Sequence, residues 1–241
     1  MTEFSRLSTI IPDKTSSWQN KTYLTFDVDW AHDEIIEDCY NLISCYKVPS
    51  TWFVTHKFNL LGSFKNDQKI ELGIHPNFNN ILFEKEKKKS VEIIEEIMSL
   101  VPASKSIRSH SLTQNERLVD IFHDFGLSHI SNFFIPHSSK IDITPFYLWN
   151  KMVVTPHFWQ DNVSLKMSLS FPLKDNSLFG FKVFNFHPIH IFLNTNNLDL
   201  YENTRSIHHK PKELIKYRER GEGVRSQLIS LLDSINSNVY D

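Results

Sequence analysis

Short apolar runs alternate with amphipathic stretches along most of the chain. The first run, residues 23–29 (YLTFDVD), is rich in β-branched and aromatic residues and ends in carboxylates, which is typical of a buried strand ending at a polar site. Residues 33–46 then carry apolar side chains at helical spacing. Asp33 is a suitable N-cap for this helix, and Pro49 prevents its continuation. The patterned region therefore begins with a predicted strand and a predicted helix.

The same patterns predict further elements in the rest of the chain. The other predicted strands are residues 51–55, 70–75, 107–110, 130–134, 147–154 and 178–186. The other predicted helices are residues 84–100, 115–125 and about 211–235, the last one interrupted by Gly221 and Gly223. Alternating strands and helices favour a parallel sheet with covering helices. The odd number of strands and the irregular stretch at 156–172 favour a distorted (β/α) barrel of about seven parallel strands.

The length and composition are those of one globular domain. A chain of 241 residues lies within the range of single-domain barrels, and no repeat or linker marks a boundary. Residues 1–20 are polar and unpatterned, so they are predicted to form an N-terminal arm before a domain at 21–241. A net charge of -2 leaves no basic stripe, which argues against a nucleic-acid partner. The charged run at 84–89 (EKEKKK) is interpreted as a solvated helix face.

Cysteine usage and hydropathy favour a cytoplasmic protein. Cys39 and Cys45 lie in one predicted helix and point to different faces, so they form neither a disulfide framework nor a zinc pair. The sequence has no signal-peptide pattern, and no apolar run approaches the roughly 18 residues of a membrane span. No oligomeric state follows from the sequence.

Polar side chains that could bind a metal or transfer a proton lie where the predicted strands end. Asp27 and Asp29 are two residues apart, so a regular strand would point both to one face. Two close carboxylates need a cation or a shared proton, which a metal or Arg108 would supply. An alternative is that one aspartate only caps the following loop. This strand end is the first candidate site.

Histidines follow three other strands. His75 lies in GIHPNF, where it is either a metal ligand or a core histidine. Arg108 and His110 lie in RSHS, and the arginine is suited to holding a carboxylate in its charged form, or to structural pairing on the barrel rim. His187 follows the last strand and is a candidate general acid, with His190 as an orienting or structural partner. The remaining histidines, including His157, His208 and His209, are predicted to be surface residues.

Four segments, in this order, resemble the motifs of the polysaccharide deacetylase family, also called the NodB homology domain. They are residues 23–30 (YLTFDVDW), 73–78 (GIHPNF), 108–111 (RSHS) and 186–190 (FHPIH). The resemblance covers roughly residues 22–195 and rests on the ordered set rather than on any one motif. It marks a divergent branch, with residues 21–241 as the catalytic domain.

The resemblance implies a distorted seven-stranded (β/α) barrel and a divalent metal, with zinc expected, held by one Asp and two His. By this match Asp27 is the general base, Asp29 a metal ligand, Arg108 the arginine that braces the base, and His187 the general acid. Val28 separates the two aspartates that are adjacent in the family, so their roles could be exchanged. The segment 158–161 (FWQD) resembles the family's aspartate and tryptophan segment.

One ligand of the family's metal triad is missing from its usual place. The histidine motif normally carries a second His where this chain has Asn79, and His110 replaces a proline of the arginine motif. His75 and His110, together with Asp29, are therefore the expected ligands, and Asn79 is a weaker substitute. By the same resemblance Asp161 would tune the acid. The predicted substrate contacts are Trp30, Asn77, Asn79, Trp159 and His190.

The predicted function is metal-dependent removal of an N-acyl group, with acetyl expected and formyl as the alternative, from an amino sugar or glycan precursor. In the predicted reaction Asp27 removes a proton from the attacking water, and His187 protonates the departing amine. One alternative is a metal-independent amidase on the same barrel. The other is a non-catalytic relative that only binds carbohydrate.

Overall fold

The computed structural model describes residues 3–82, 89–172 and 181–236, with side chains described as far as residue 234. The strands within these ranges are β1 (Glu3–Ser5), β2 (Lys21–Asp27), β3 (Ser50–Val54), β4 (Ile70–Ile74), β5 (Ser106–Ile107), β6 (His129–Ile130), β7 (Phe146–Tyr147), β8 (Val153–Val154), β9 (Trp159–Gln160) and β10 (Lys182–Phe186). The α-helices are α1 (Asp33–Tyr46), α2 (Leu61–Asn66), α3 (Asn79–Leu82), α4 (Ser90–Leu100), α5 (Glu116–Asp124), α6 (Asp161–Met167), α7 (Pro188–Leu193), α8 (Leu198–Thr204), α9 (Pro211–Leu214) and α10 (Val224–Asn236).

All the strands belong to one sheet, in the order β7-β8-β6-β5-β4-β3-β2-β10-β9, with β1 paired to β2 outside this path. Every pairing is parallel except that of β7 with β8. A further parallel bridge between Phe134 and His157 links the segment after β6 to the segment before β9. The predicted distorted (β/α) barrel is confirmed, although within the described ranges the sheet has ten strands rather than about seven.

The central strands are buried on both faces because helices cover the outside of the barrel. Every residue of β2 after Lys21 is buried, and Phe26 stacks on Trp52 of β3 with ring centroids 4.3 Å apart. On the other side Phe26 contacts Phe186 of β10 at 5.9 Å. Aromatic side chains thus fill the layer around β2. The strand that carries Asp27 is therefore held rigidly between its neighbours.

Several predicted elements agree closely with the structure. The helix predicted at 33–46 is α1, although His32 rather than Asp33 is the N-cap, since its Nδ1 accepts a hydrogen bond from the Glu34 amide. Cys39 is buried and Cys45 exposed, as their helical spacing predicted. The predicted helix residues 84–88 and strand residues 178–180 lie outside the described ranges.

Other segments differ from the prediction. The strand predicted at 147–154 is an antiparallel hairpin of β7 and β8 with a turn in which Lys151 has φ 68. The stretch at 156–172, predicted as irregular, contains β9 and α6, and two unpredicted helices, α7 and α8, follow β10. The last predicted helix is divided into α9 and α10, because the glycine-containing segment between them does not continue the helix.

The described part of the predicted N-terminal arm packs against the barrel. β1 pairs with β2 in parallel, and Leu7 and Ile10 are buried. The Ser8 amide donates a hydrogen bond to the buried carboxylate of Glu71, at 2.9 Å. A three-residue strand with sparse apolar residues gives too little periodicity to be recognised in the sequence. In the described parts of the chain, no helix is long and apolar enough to span a bilayer.

Candidate active site

The two aspartates lie at the carboxyl end of the central strand, where barrel enzymes of this architecture gather their chemistry. β2 ends at Asp27, and Asp29 and Trp30 have left-handed backbones with φ 44 and 56. The strand is therefore not regular through Asp29. The expectation that a regular strand would point both carboxylates to one face is not met. They converge because the chain turns back, and both lie near His187 Nε2, with Asp27 Oδ2 at 3.7 Å and Asp29 Oδ2 at 3.5 Å.

Asp27 is bound on both of its oxygens. Arg108 Nη1 donates to Oδ1 at 3.0 Å, and Asn185 Nδ2 donates to Oδ2 at 2.7 Å. Burial by itself would raise the pKa of Asp27, but the charges of Arg108 and two histidines outweigh it, so the pKa lies below its usual value. Arg108 thus pairs with the aspartate that the resemblance assigns as the base. The sequence analysis did not identify Asn185 as a site residue. Its position as a polar residue inside the apolar run VFNF was the signal that could have indicated it.

Asp29, His75 and His110 form a cluster of possible metal ligands. Their donor atoms all lie within 4.8 Å of one another. Asp29 Oδ1 is 3.1 Å from His75 Nε2 and 3.1 Å from His110 Nδ1. Tetrahedral ligands at about 2.0–2.1 Å from zinc stand about 3.3–3.4 Å apart, which is close to the two distances from Asp29 Oδ1. The pKa of Asp29 lies well below its usual value because contacts with His110 and His75 outweigh the effect of burial.

His187 is oriented by Asp161. Its Nδ1 donates to Asp161 Oδ1 at 2.6 Å, and its backbone amide donates to Oδ2, also at 2.6 Å. Burial lowers the pKa of the imidazole, but the charge and hydrogen bond of Asp161, with smaller effects from Asp29 and Asp27, raise it to about 10. The fixed Nδ1 contact leaves Nε2 facing the two strand-end carboxylates. The imidazole is therefore positioned and charged as a proton donor.

A cavity of about 790 Å³ opens over these residues. Asp29, His110 and His187 line it, as do Trp30 and His190. Trp30 is 49% exposed and its ring lies edge-on to His110, with centroids 5.3 Å apart. The size is that of a pocket for a drug-sized ligand. An exposed indole beside the ligand cluster can pack against the apolar face of a sugar.

His190 is buried in the cavity wall. Its Nδ1 lies 3.1 Å from Thr195 Oγ1, and its ring contacts those of His187 and Tyr201. Burial lowers its pKa to about 4 against the opposing effect of Asp161, so the ring is neutral near pH 7. It is better suited to hydrogen bonding than to proton donation.

Three predicted substrate contacts do not line the cavity. Trp159 is only 1% exposed and packs against Phe171 and Phe186 in the core, which corrects its assignment as a wall of the pocket. Asn77 Oδ1 accepts a hydrogen bond from the Asn79 amide at the start of α3. Asn79 Nδ2 donates to Ser111 Oγ, the residue that follows His110.

Of three histidines predicted to lie on the surface, His157 is buried, His208 is partly buried and His209 is exposed. His157 is fully buried, its Nε2 contacts Gln160 Oε1 at 2.8 Å, and burial together with Arg108 lowers its pKa to about 3. His208 and His209 line the cavity. Single histidines outside a clear periodic pattern carry no local signal of burial, so only the tertiary structure distinguishes these cases.

The chain matches a family model described as "WbmS-like: Polysaccharide deacetylase" over residues 24–205. The crystal structure of WbmS from Bordetella bronchiseptica, described as a candidate polysaccharide deacetylase involved in O-antigen biosynthesis, is similar over 96% of this chain and 98% of that one, with 35% identity and a TM-score of 0.91.

Two more distant structures are a CE4 family pseudoenzyme from Bacillus anthracis and 4-alpha-glucanotransferase from Thermococcus litoralis. Both are 14% identical, with TM-scores of 0.42 and 0.41. They cover 84% and 78% of this chain, which in turn covers 62% and 36% of theirs, and such low scores do not bear on function. A comparison with functionally curated proteins finds no significant match. From the family match and the WbmS similarity, the chain belongs to the WbmS-like polysaccharide deacetylase family.

Proposed function

We propose that this protein is a metal-dependent N-deacetylase that removes an acetyl group from an amino sugar in a glycan precursor. One observation carries the proposal. Asp29 and His110 of the Asp29–His75–His110 cluster line one cavity with an acid held by Asp161, and the cluster lies next to a carboxylate held by Arg108. The similarity to WbmS supports an O-antigen precursor as the glycan.

The residues present fit a divalent ion, with zinc as the proposed metal. One carboxylate and two imidazoles are a donor set typical of catalytic zinc, which keeps a further position open. When bound, such an ion would polarise the acyl carbonyl and lower the pKa of a water molecule. His110 supplies the second imidazole in place of the family's usual histidine, whose position is taken by Asn79.

The protein's own residues would carry the proton transfers. Asp27, kept ionised by Arg108, accepts a proton from the attacking water. His187, kept protonated by Asp161, gives its proton to the nitrogen as the carbon–nitrogen bond breaks. The products are acetate and a free amino sugar. The chain has both a base paired with Arg108 and an acid hydrogen-bonded to Asp161, which favours catalysis over carbohydrate binding alone.

Metal analysis and an amine-release assay test this proposal. The purified protein, loaded with zinc and freed of excess metal, is expected to hold one ion per chain and to release amine from N-acetylated sugars. His75→Ala and His110→Ala are each expected to lose metal and activity. The loss of affinity should exceed the about 10- to 100-fold that removal of an outer hydrogen-bond partner costs.

Asn79→Ala is the matched control, because Asn79 lies in the predicted family position but bonds to Ser111. It is expected to retain metal. Metal binding that survived His110→Ala but not Asn79→Ala would reverse the ligand assignment. Amine release without any metal would instead support the metal-independent amidase.

A further inference from the structure

The cavity has a second wall that the proposed reaction does not use. Lys166 near the end of α6, with Arg205, His208 and His209 after α8, lines the same space as Asp29 and His187. α6 and α8 pack against each other, which brings the lysine and the other three residues to one side. We refer to these four residues as the cationic wall.

The charges on this wall are not neutralised locally. Glu202 also lines the cavity and pairs with Arg205 at 3.3 Å, with side chains 56% and 69% exposed. Such an exposed pair is worth little, and it leaves other guanidinium N–H donors free. Within the described ranges, Lys166 forms no ion pair. Burial lowers the pKa of His208, so this imidazole adds no charge near pH 7. With the histidines counted as neutral, Lys166 and Arg205 against the carboxylate of Glu202 leave one net positive charge on this side of the cavity.

A short path of ring contacts connects the wall to the candidate acid. His187 contacts His190 with centroids 5.8 Å apart, His190 contacts Tyr201 at 4.9 Å, and Tyr201 contacts His208 at 4.7 Å. Three ring contacts thus separate the proton donor from the cationic wall. The proton donor and the cationic wall therefore line the same cavity at the two ends of this path of contacts.

We propose that the cationic wall binds an anionic group of the substrate, a phosphate or a carboxylate carried by the amino sugar. This inference rests on the proposed function and specifies its substrate class. Lys166 and Arg205 attract an anion on the side of the cavity formed by α6 and the segment after α8. The charge distribution thereby orients the substrate, with its anionic group on the wall and its acylamino group toward His187.

Binding of sugars without an acyl group tests the wall independently of deacetylation. Calorimetry on the zinc-loaded protein would compare glucose, glucose 1-phosphate and glucuronate, none of which has an amide to cleave. Because charge-assisted hydrogen bonds are strong, at least one acidic sugar is expected to bind about 10-fold or more tighter than glucose. Preference for only the phosphate or only the uronate would identify the source of the anion. The preference should weaken at high salt.

The double variant Lys166→Gln/Arg205→Gln is expected to bind all three sugars alike. Both side chains are exposed, so the fold should be unaffected, as unchanged thermal unfolding would show. Lys212→Gln on α9, outside this cavity, is the matched control and should keep the preference. The inference is overturned if neither acidic sugar binds more tightly than glucose. It is equally overturned if the double variant keeps the preference, because the anion would then be bound elsewhere, for example at the metal.

Discussion

Arg108 has no exposed surface, and each of its three guanidinium nitrogens has a hydrogen-bond acceptor. Nε and Nη2 bind the backbone oxygen and hydroxyl of Ser131, and Nη1 binds Thr25 and Asp27. The guanidinium also lies over the Phe53 ring, 4.6 Å from its centroid. A planar fork is needed for this arrangement, and a lysine ammonium cannot reproduce it. The residue therefore fixes both the charge and the position of Asp27.

Arg108→Lys is expected to lower kcat for deacetylation by up to about 10²-fold, because a displaced base is costly even when its charge is kept. Metal content should not change, since Arg108 is not in the ligand cluster. Arg225→Lys is the control, because Arg225 pairs with Asp38 away from the cavity. Equal kcat values for Arg108→Lys and the unmodified protein would remove Arg108 from the catalytic machinery.

His187→Ala is expected to reduce amide turnover by about 10²- to 10⁴-fold, the usual contribution of a general acid, with the metal still bound. The reduction should be smaller for an acetyl ester, whose leaving group needs less protonation. His123→Ala, on the exposed end of α5, provides a control. An equal reduction for amide and ester would indicate that His187 stabilises the oxyanion or the structure instead.

At the scale of elements, contacts between the end of α7 and the start of α10 fix the position of the helix that follows the candidate acid. His187 is the N-cap residue of α7, and the chain leaves α7 through Asn194 with a left-handed φ of 49. Asn194 Nδ2 donates to the backbone oxygens of Glu219 and Gly221, and its Oδ1 accepts from the Ser226 amide at the start of α10. At Gly223 a Cβ would overlap the Asn194 carbonyl. Close backbone approach is therefore required where these helices meet.

Gly223→Ala is expected to destabilise the protein by about 1–3 kcal/mol, because neither backbone can yield without breaking these hydrogen bonds. Thermal unfolding would measure the change, at about 2–4 °C per kcal/mol for a chain of this size. Gly62→Ala in α2 is the matched control, since a methyl group at Gly62 would have no atom within 4 Å apart from its chain neighbours and the backbone of its own helix. That change should stabilise the protein by about 0.4–1 kcal/mol. Similar unfolding temperatures for both variants would contradict the packing argument.

At the scale of the whole molecule, the proposed metal would join three separate parts of the barrel. Asp29 follows β2, His75 follows β4, and His110 lies just beyond β5. β4 and β5 are paired, and β3 lies between β4 and β2, so the three strands are close in the sheet but distant in the sequence. An unfolded chain does not hold the three donors together, so the ion would bind the native state preferentially and stabilise it.

Zinc at about 100 times its dissociation constant is therefore expected to stabilise the fold by about 2.7 kcal/mol, which corresponds to roughly 5–10 °C in Tm. Addition of a chelator should reverse the shift. His75→Ala should show no zinc-dependent shift, whereas Asn79→Ala should show the full one. A zinc shift of unchanged size in His75→Ala would show that the stabilising ion binds elsewhere.

The sequence by itself determined the elements whose periodicity is strong and local. The amphipathic α1 and the apolar β2, β3 and β4 were predicted within two residues at each end, because their burial patterns repeat along the chain. Polar residues at the ends of apolar runs also identified Asp27, Asp29, His75, Arg108, His110 and His187, which the structure brings to one end of the barrel. Their chemical roles remain predictions.

Only the tertiary structure decided which side chains meet across long stretches of chain. β2 pairs with β10, which brings Asn185 to Asp27 over a separation of 158 residues that no local pattern encodes. The same applies to Trp159, which was predicted to contact the substrate but is enclosed by core aromatic side chains. It also applies to the cationic wall, whose lysine and arginine come from two segments that meet only in the folded protein. Periodicity indicates whether a residue lies on the buried or the exposed face of its own helix or strand. A functional site depends instead on where separate elements converge.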